Sequence, residues 1–103
     1  MCGIFSYFGK TNKDLSSHLE TIKYRGPDNT QKSYPDDIMF FGFHRLSIIG
    51  TDKKGNQPMV HPENDNLHLI CNGEIYNYLQ IADKHQFNLT TGSDCEVILF
   101  LYE

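Results

Sequence analysis

The chain has 103 residues and a formal net charge of -4, with its basic residues scattered along its length. A chain of this size buries somewhat over ~60% of its unfolded surface and holds one modest core, so it is one small domain or part of one. The charge pattern argues against a nucleic-acid surface, and no apolar run approaches the roughly 18–20 residues of a membrane span.

Taken from the N-terminus, residues 3–8 (GIFSYF) read as a first strand. Residues 13–24 place Leu15, Leu19 and Ile22 at the spacing of an amphipathic helix, with Asn12 as its cap. Arg25-Gly26-Pro27-Asp28 marks a turn. Residues 38–49 are rich in Phe, Ile and Met and predict a buried strand. Residues 50–66 carry Gly50, Gly55, Pro58 and Pro62 and read as loop. Residues 67–72 predict another strand, and 78–85 a short helix with Leu79 and Ala82 facing inward. Residues 87–90 suggest a short strand. Ser93 and Glu96 have capping-box spacing ahead of the apolar run 97–102, which predicts a helix start.

The three cysteines, Cys2, Cys71 and Cys95, are odd in number and form no CxxC pair. This argues against a disulfide framework or a zinc ribbon and for a reducing, cytoplasmic setting. MCGIFSYFGK has no basic n-region, so it reads as a strand and not a signal peptide; the Asn88-Leu89-Thr90 sequon is then accidental. The five histidines, at 18, 44, 61, 68 and 85, have no metal spacing and read as structural or exposed.

Cys2 carries the strongest chemical signal. Once Met1 is removed it would be the first residue, with a thiol that attacks and an α-amine that takes up a proton. Both groups change protonation near neutral pH, so no separate histidine is required. Two arginines, Arg25 and Arg45, can each grip a carboxylate as a planar fork. Asn72-Gly73 reads as a hairpin turn or as an oxyanion site, because an amide side chain and a glycine N–H can both face a developing negative oxygen. Asp94 either favours the start of a helix or meets an ammonium group.

Five clusters occur in order: MCGI at 1–4, RGPD at 25–28, HRLSII at 44–49, NGEIYN at 72–77 and GSDCE at 92–96. Together they resemble the N-terminal glutaminase domain of class II glutamine amidotransferases, which are N-terminal nucleophile hydrolases. NGEIYN and GSDCE make the glutamine-hydrolysing asparagine synthetase branch the most similar. The resemblance spans the whole chain. It implies an α+β fold, the N-terminal part of an αββα sandwich with mostly antiparallel strands.

It also implies hydrolysis of L-glutamine to glutamate and ammonia through a thioester at Cys2, feeding ATP-dependent asparagine synthesis from aspartate. By resemblance, Asn72 and Gly73 form the oxyanion site. Arg45 holds the substrate carboxylate, with Leu46, Ser47, Ile48 and Ile49 lining the pocket, and Arg25 becomes structural. Glu74 sits beside the pocket and Asp94 binds the ammonium. No metal or cofactor is implied in this domain; ATP and magnesium belong to a synthetase domain.

The chain departs from the family pattern after RGPD, where Asn29-Thr30-Gln31 stand in place of a nearby glycine, and at Gly50, where an acidic residue is usual. Residues 1–103 read as a partial glutaminase domain, truncated inside its last helix. The expected partners are L-glutamine and a synthetase domain or partner chain, with a homo-oligomer as a further expectation. Two other readings stand beside the active glutaminase. One is an inactive remnant that binds glutamine; the other is a subunit-interaction module that docks through an uncovered sheet.

Overall fold

The structure is a computed structural model that describes residues 1–46 and 55–103. Ser47, Ile48, Ile49 and the Gly50 departure lie outside the described residues.

Three strands form the first sheet: β1 (Gly3–Phe8), β2 (Asn29–Asp36) and β3 (Met39–Arg45), in the order β1-β3-β2 and antiparallel throughout. The central position of β3 explains its near-continuous apolar run. A strand covered on both faces has no solvated side on which to alternate. Its Phe40, Phe43 and His44 are all buried. The edge strand β2 reads NTQKSYPD, and that polarity is why the sequence left residues 29–36 unassigned.

One face of β3 is covered by α1 (Ser16–Glu20) and a 3-10 turn at Lys23–Arg25. Leu15, Leu19 and Phe40 make the buried cluster, with Phe5, Tyr7 and Ile22 packed against it. Leu19 rests directly on Gly42. A Cβ there would lie 2.7 Å from both Leu19 methyl carbons. The expected Asn12 cap is overturned. The helix starts four residues later, and the Asp14 carboxylate accepts the Ser16 N–H at 2.9 Å.

A second sheet, the hairpin β4 (Met59–His61) and β5 (Asn64–Leu69), begins inside the stretch expected as loop. The strand expected over residues 67–72 is present as the second half of β5, which starts three residues earlier and ends at Leu69. The strands are short and their turn holds Pro62, so the loop signal was real but covered only the connection. The two sheets face each other across an apolar cavity of about 250 Å³. Met39 and Phe41 from the first sheet, Leu67 and Leu69 from the second, and Ile98 and Leu99 line it.

The helix α2 (Tyr78–His85) buries Ala82, but Leu79 is 65% exposed and does not face inward. It ends at Gln86 in the left-handed region (φ 58°), where the Phe87 N–H returns to the Ala82 carbonyl at 2.8 Å. Residues 87–90 form no strand. Phe87 packs its ring 5.2 Å from Phe100, and the Thr90 N–H is taken by Glu96.

A 3-10 turn at Asp94–Glu96 leads into α3 (Val97–Tyr102). The helix start is where the sequence puts it, but the capping box is absent. Glu96 is buried and reaches back past Ser93 to Thr90 and Thr91. The arrangement is α+β, with short helices against antiparallel sheets.

Candidate functional site

Residues far apart in the chain meet at a cavity of about 510 Å³. Cys2 and Arg45 line one wall. Cys71, Asn72 and Gly73 line the other, joined by Thr91–Cys95 and by Gln57.

The Cys2 wall is built by register. Gly3 of β1 pairs with His44 of β3, so Cys2 and Arg45 emerge at the same end of the sheet. The Leu46 N–H points at Cys2 Sγ at 3.4 Å, and the Leu46 carbonyl lies 3.8 Å from the same sulfur.

His44 locks this end from beneath. Its Nε2 faces the Leu19 carbonyl at 2.8 Å, and a carbonyl can only accept, so Nε2 carries the hydrogen. In the neutral ring Nδ1 then accepts from the Thr30 hydroxyl at 2.8 Å. Gly26 closes over the same strand. A Cβ at Gly26 would fall 2.2 Å from the His44 carbonyl oxygen, so only glycine fits.

The two arginines separate cleanly. Arg25 Nε donates to the Cys2 carbonyl at 3.2 Å, behind the nucleophile candidate, and does not line the cavity. Arg45 lines it, with Nη1 donating to Asn56 Oδ1 at 2.7 Å.

On the opposite wall, side chains bind backbone in place of a sheet ladder. Gln57 Oε1 accepts the Cys71 N–H, directly before Asn72 and Gly73. Asp94 Oδ2 accepts the Ile75 N–H and so ties the 72–77 turn to the 93–96 turn. Glu96 accepts from the N–H and hydroxyl groups of both Thr90 and Thr91, at 2.7 to 3.0 Å. Burial pushes the Glu96 carboxyl up, but these donors outweigh it and hold the group below the ordinary glutamate range.

Of the residues expected from sequence, Cys2, Arg45, Asn72, Gly73 and Asp94 all border the cavity. Leu46 touches Cys2 without lining it. Glu74 stands outside, exposed, where it accepts a hydrogen bond from Tyr76 and raises that phenol above its ordinary range. Sequence reasoning missed Gln57, Cys71, Thr91 and Cys95. Gln57 was hidden in a stretch read as loop, and its one signal was the adjacent Pro58. Among the described residues, no group of three or more His, Cys, Asp or Glu could hold a metal ion. No described helix is long and apolar enough to cross a membrane.

The family model for the glutamine amidotransferase domain matches residues 1–103. The chain belongs to this family. It is 39% identical over 112 residues to a probable glutamine-hydrolysing asparagine synthetase of Acanthamoeba polyphaga mimivirus, covering 99% of this chain and 20% of that protein. It is 37% identical over 109 residues to asparagine synthetase [glutamine-hydrolyzing] 2 of Bacillus subtilis (strain 168), covering all of this chain and 14% of that protein. Amidase chry2 of Gibberella zeae is 38% identical over 96 residues, covering 88% of this chain and 14% of that protein. The chain thus spans about a fifth or less of the length of these relatives.

Proposed function

We propose that this amidotransferase domain hydrolyses the side-chain amide of L-glutamine, with Cys2 as the nucleophile. One observation carries the reading. A thiol, a guanidinium, a side-chain amide, a glycine N–H and a carboxylate, drawn from four separate stretches of chain, border a single cavity.

Each group has a physical task. After removal of Met1, the Cys2 α-amine takes the thiol proton and the sulfur attacks the amide carbon. The Asn72 side chain and the Gly73 N–H stabilise the negative oxygen that forms. Loss of one such donor costs about 2.7–4 kcal/mol where it has been measured. The C–N bond breaks, the α-amine returns the proton to nitrogen, and ammonia leaves a thioester on Cys2. Water then attacks the thioester, releases glutamate and restores the thiol.

Arg45 pairs with the substrate α-carboxylate and Asp94 with its α-ammonium, and these two contacts fix which end of the amino acid faces Cys2. Asp94 can do this while holding the Ile75 N–H, because a carboxylate has acceptor capacity on both oxygens. The finer fold assignment, the N-terminal part of an αββα sandwich of the N-terminal nucleophile hydrolase type, belongs to this proposal, as does ammonia delivery to asparagine synthesis. ATP and magnesium would act in a synthetase portion, which the relatives' greater length has room for.

The test is ammonia release from glutamine by protein whose mass shows Met1 removed, compared with Cys2→Ala. Release that requires Cys2 is expected, together with tight glutamine retention by Cys2→Ala. Equal release by both proteins, or none from mature protein, would reject the mechanism.

A further inference from the structure

The cavity wall opposite Cys2 contains a pair of thiols that glutamine hydrolysis does not use. Cys71 and Cys95 lie 24 residues apart in sequence, both are free cysteines, and their sulfurs are 3.1 Å apart. Cys71 is half-buried and borders the cavity; Cys95 is 3% exposed. Each directly precedes or follows a residue of the proposed site. Cys71 is next to Asn72, and Cys95 is next to Asp94.

A sulfur separation of this size discriminates between two uses. Zinc bound tetrahedrally at about 2.3 Å from each thiolate would hold the sulfurs about 3.8 Å apart. A covalent bond brings them to about 2.05 Å, roughly 1 Å closer than they stand. The pair is already inside the metal-binding separation, and among the described residues no third ligand joins it.

We propose that Cys71 and Cys95 are a disulfide-forming site that a small-molecule disulfide, such as glutathione disulfide, oxidises within one chain. Its consequence for glutamine rests on the function proposed above. The Cys71 thiolate attacks one sulfur of glutathione disulfide, whose S–S bond breaks and releases one glutathione. Cys95 then gives up its proton and attacks the Cys71 sulfur, and the second glutathione leaves. Two protein S–H bonds become one S–S bond, and one glutathione disulfide becomes two glutathiones.

The order follows from access. Burial pushes the Cys95 thiol far up, aided by its contact with Cys71, whereas Cys71 meets the cavity and with it a dissolved oxidant. The bond would pull the 71–75 and 94–96 segments together across the cavity wall. Asn72 and Asp94 move with them, so the oxidised chain holds glutamine less well. The reductant that opens the bond restores the site.

Cys2→Ala protein isolates the pair, because the chain has three cysteines. After exposure to glutathione disulfide, the intact mass is expected to fall by two hydrogens. The protein should stay monomeric on a non-reducing gel and recover its mass with dithiothreitol. Glutamine affinity, measured by calorimetry on the same protein, is expected to weaken about tenfold on oxidation, the scale of one lost buried polar contact. An unchanged mass, a retained glutathione adduct or a covalent dimer overturns the site. An unchanged affinity in oxidised protein overturns the coupling to glutamine. Failure of the reduced protein to bind glutamine would count against the proposed function, and the mass change alone would then decide the disulfide.

Discussion

On the Cys2 wall, a sheet and the helix packed on it hold the functional groups; on the Asn72 wall, side chains bonded to turns hold them. Cys2 and Arg45 sit at the end of paired strands whose register follows from the Leu19–Phe40 core. Asn72, Gly73 and Asp94 sit on turns with no ladder of their own, and Gln57, Asp94 and Glu96 supply the acceptors that a neighbouring strand would otherwise provide. Packing spreads its stabilisation over many small contacts. A few buried polar groups concentrate it, and each is costly to leave half-satisfied. Substitutions on the first wall should therefore act through volume, and substitutions on the second through lost acceptors.

The largest effect is expected at Glu96. Replacing it with Ala leaves the Thr90 and Thr91 N–H groups without acceptors, for a loss of about 3 kcal/mol in urea unfolding. Charge gives a second way to test this anchor. The folded carboxyl lies below the ordinary glutamate value of 4.5, so the unfolded chain takes up the proton first as pH falls. The stability Glu96 contributes is full above that value and is lost as pH drops through the lowered folded one. Glu96→Gln should flatten this acid loss relative to wild type, by a slope approaching one proton. Parallel pH profiles would show that the turn is held without the charge.

This division also explains what could be read in advance. The strand at β1 and the apolar run of β3 were legible because hydrophobic pattern is a local property, and Cys2 stood out as a reactive side chain at the chain start. Local properties left Arg45 level with Arg25 and left Asn72, Gly73 and Asp94 with two readings each. The order of the five motifs, through the resemblance they carry, is what grouped these residues with Cys2, and the fold brings all five residues to one cavity. Strand β2 was not legible, because NTQKSYPD earns its place by pairing with β3 and carries no apolar stripe. The Ser93–Glu96 spacing matched a capping box, yet the carboxylate goes to Thr90 and Thr91, an outcome decided by burial. Gln57 and the Cys71–Cys95 contact were invisible for a related reason. Each joins segments whose proximity exists only once the sheets face one another.

A middle-sized effect on the packed wall is expected at Gly26. Ala there places a methyl against the His44 carbonyl at 2.2 Å, and this neighbour is backbone that cannot rotate away. Overpacking of this kind costs about 1–3 kcal/mol. The shift should also open the Arg45 end of the strand, because the Asp28 N–H bonds the Arg45 carbonyl at 3.0 Å. Weaker glutamine binding should accompany the lower stability. A full loss of stability with unchanged binding would show that Gly26 supports the core alone.

The smallest stability change, and the sharpest contrast between the walls, is expected at Gln57. Its buried amide accepts the Cys71 N–H, and Gln57→Leu removes that acceptor at nearly the same volume. The loss of stability should be about 1 kcal/mol, the usual scale for one hydrogen bond. Activity should suffer more than stability, because Cys71 leads directly into the Asn72 and Gly73 donors proposed for the oxyanion. Ammonia release should show kcat falling about tenfold or more, with KM little changed, since the donors act only once negative charge develops. Gln57→Glu keeps an acceptor oxygen at the same place and should recover most of the rate. If both variants lose activity equally, or both lose only stability, the Cys71 N–H bond does not position the donors. The second wall would then be held at Asp94 and Glu96 alone.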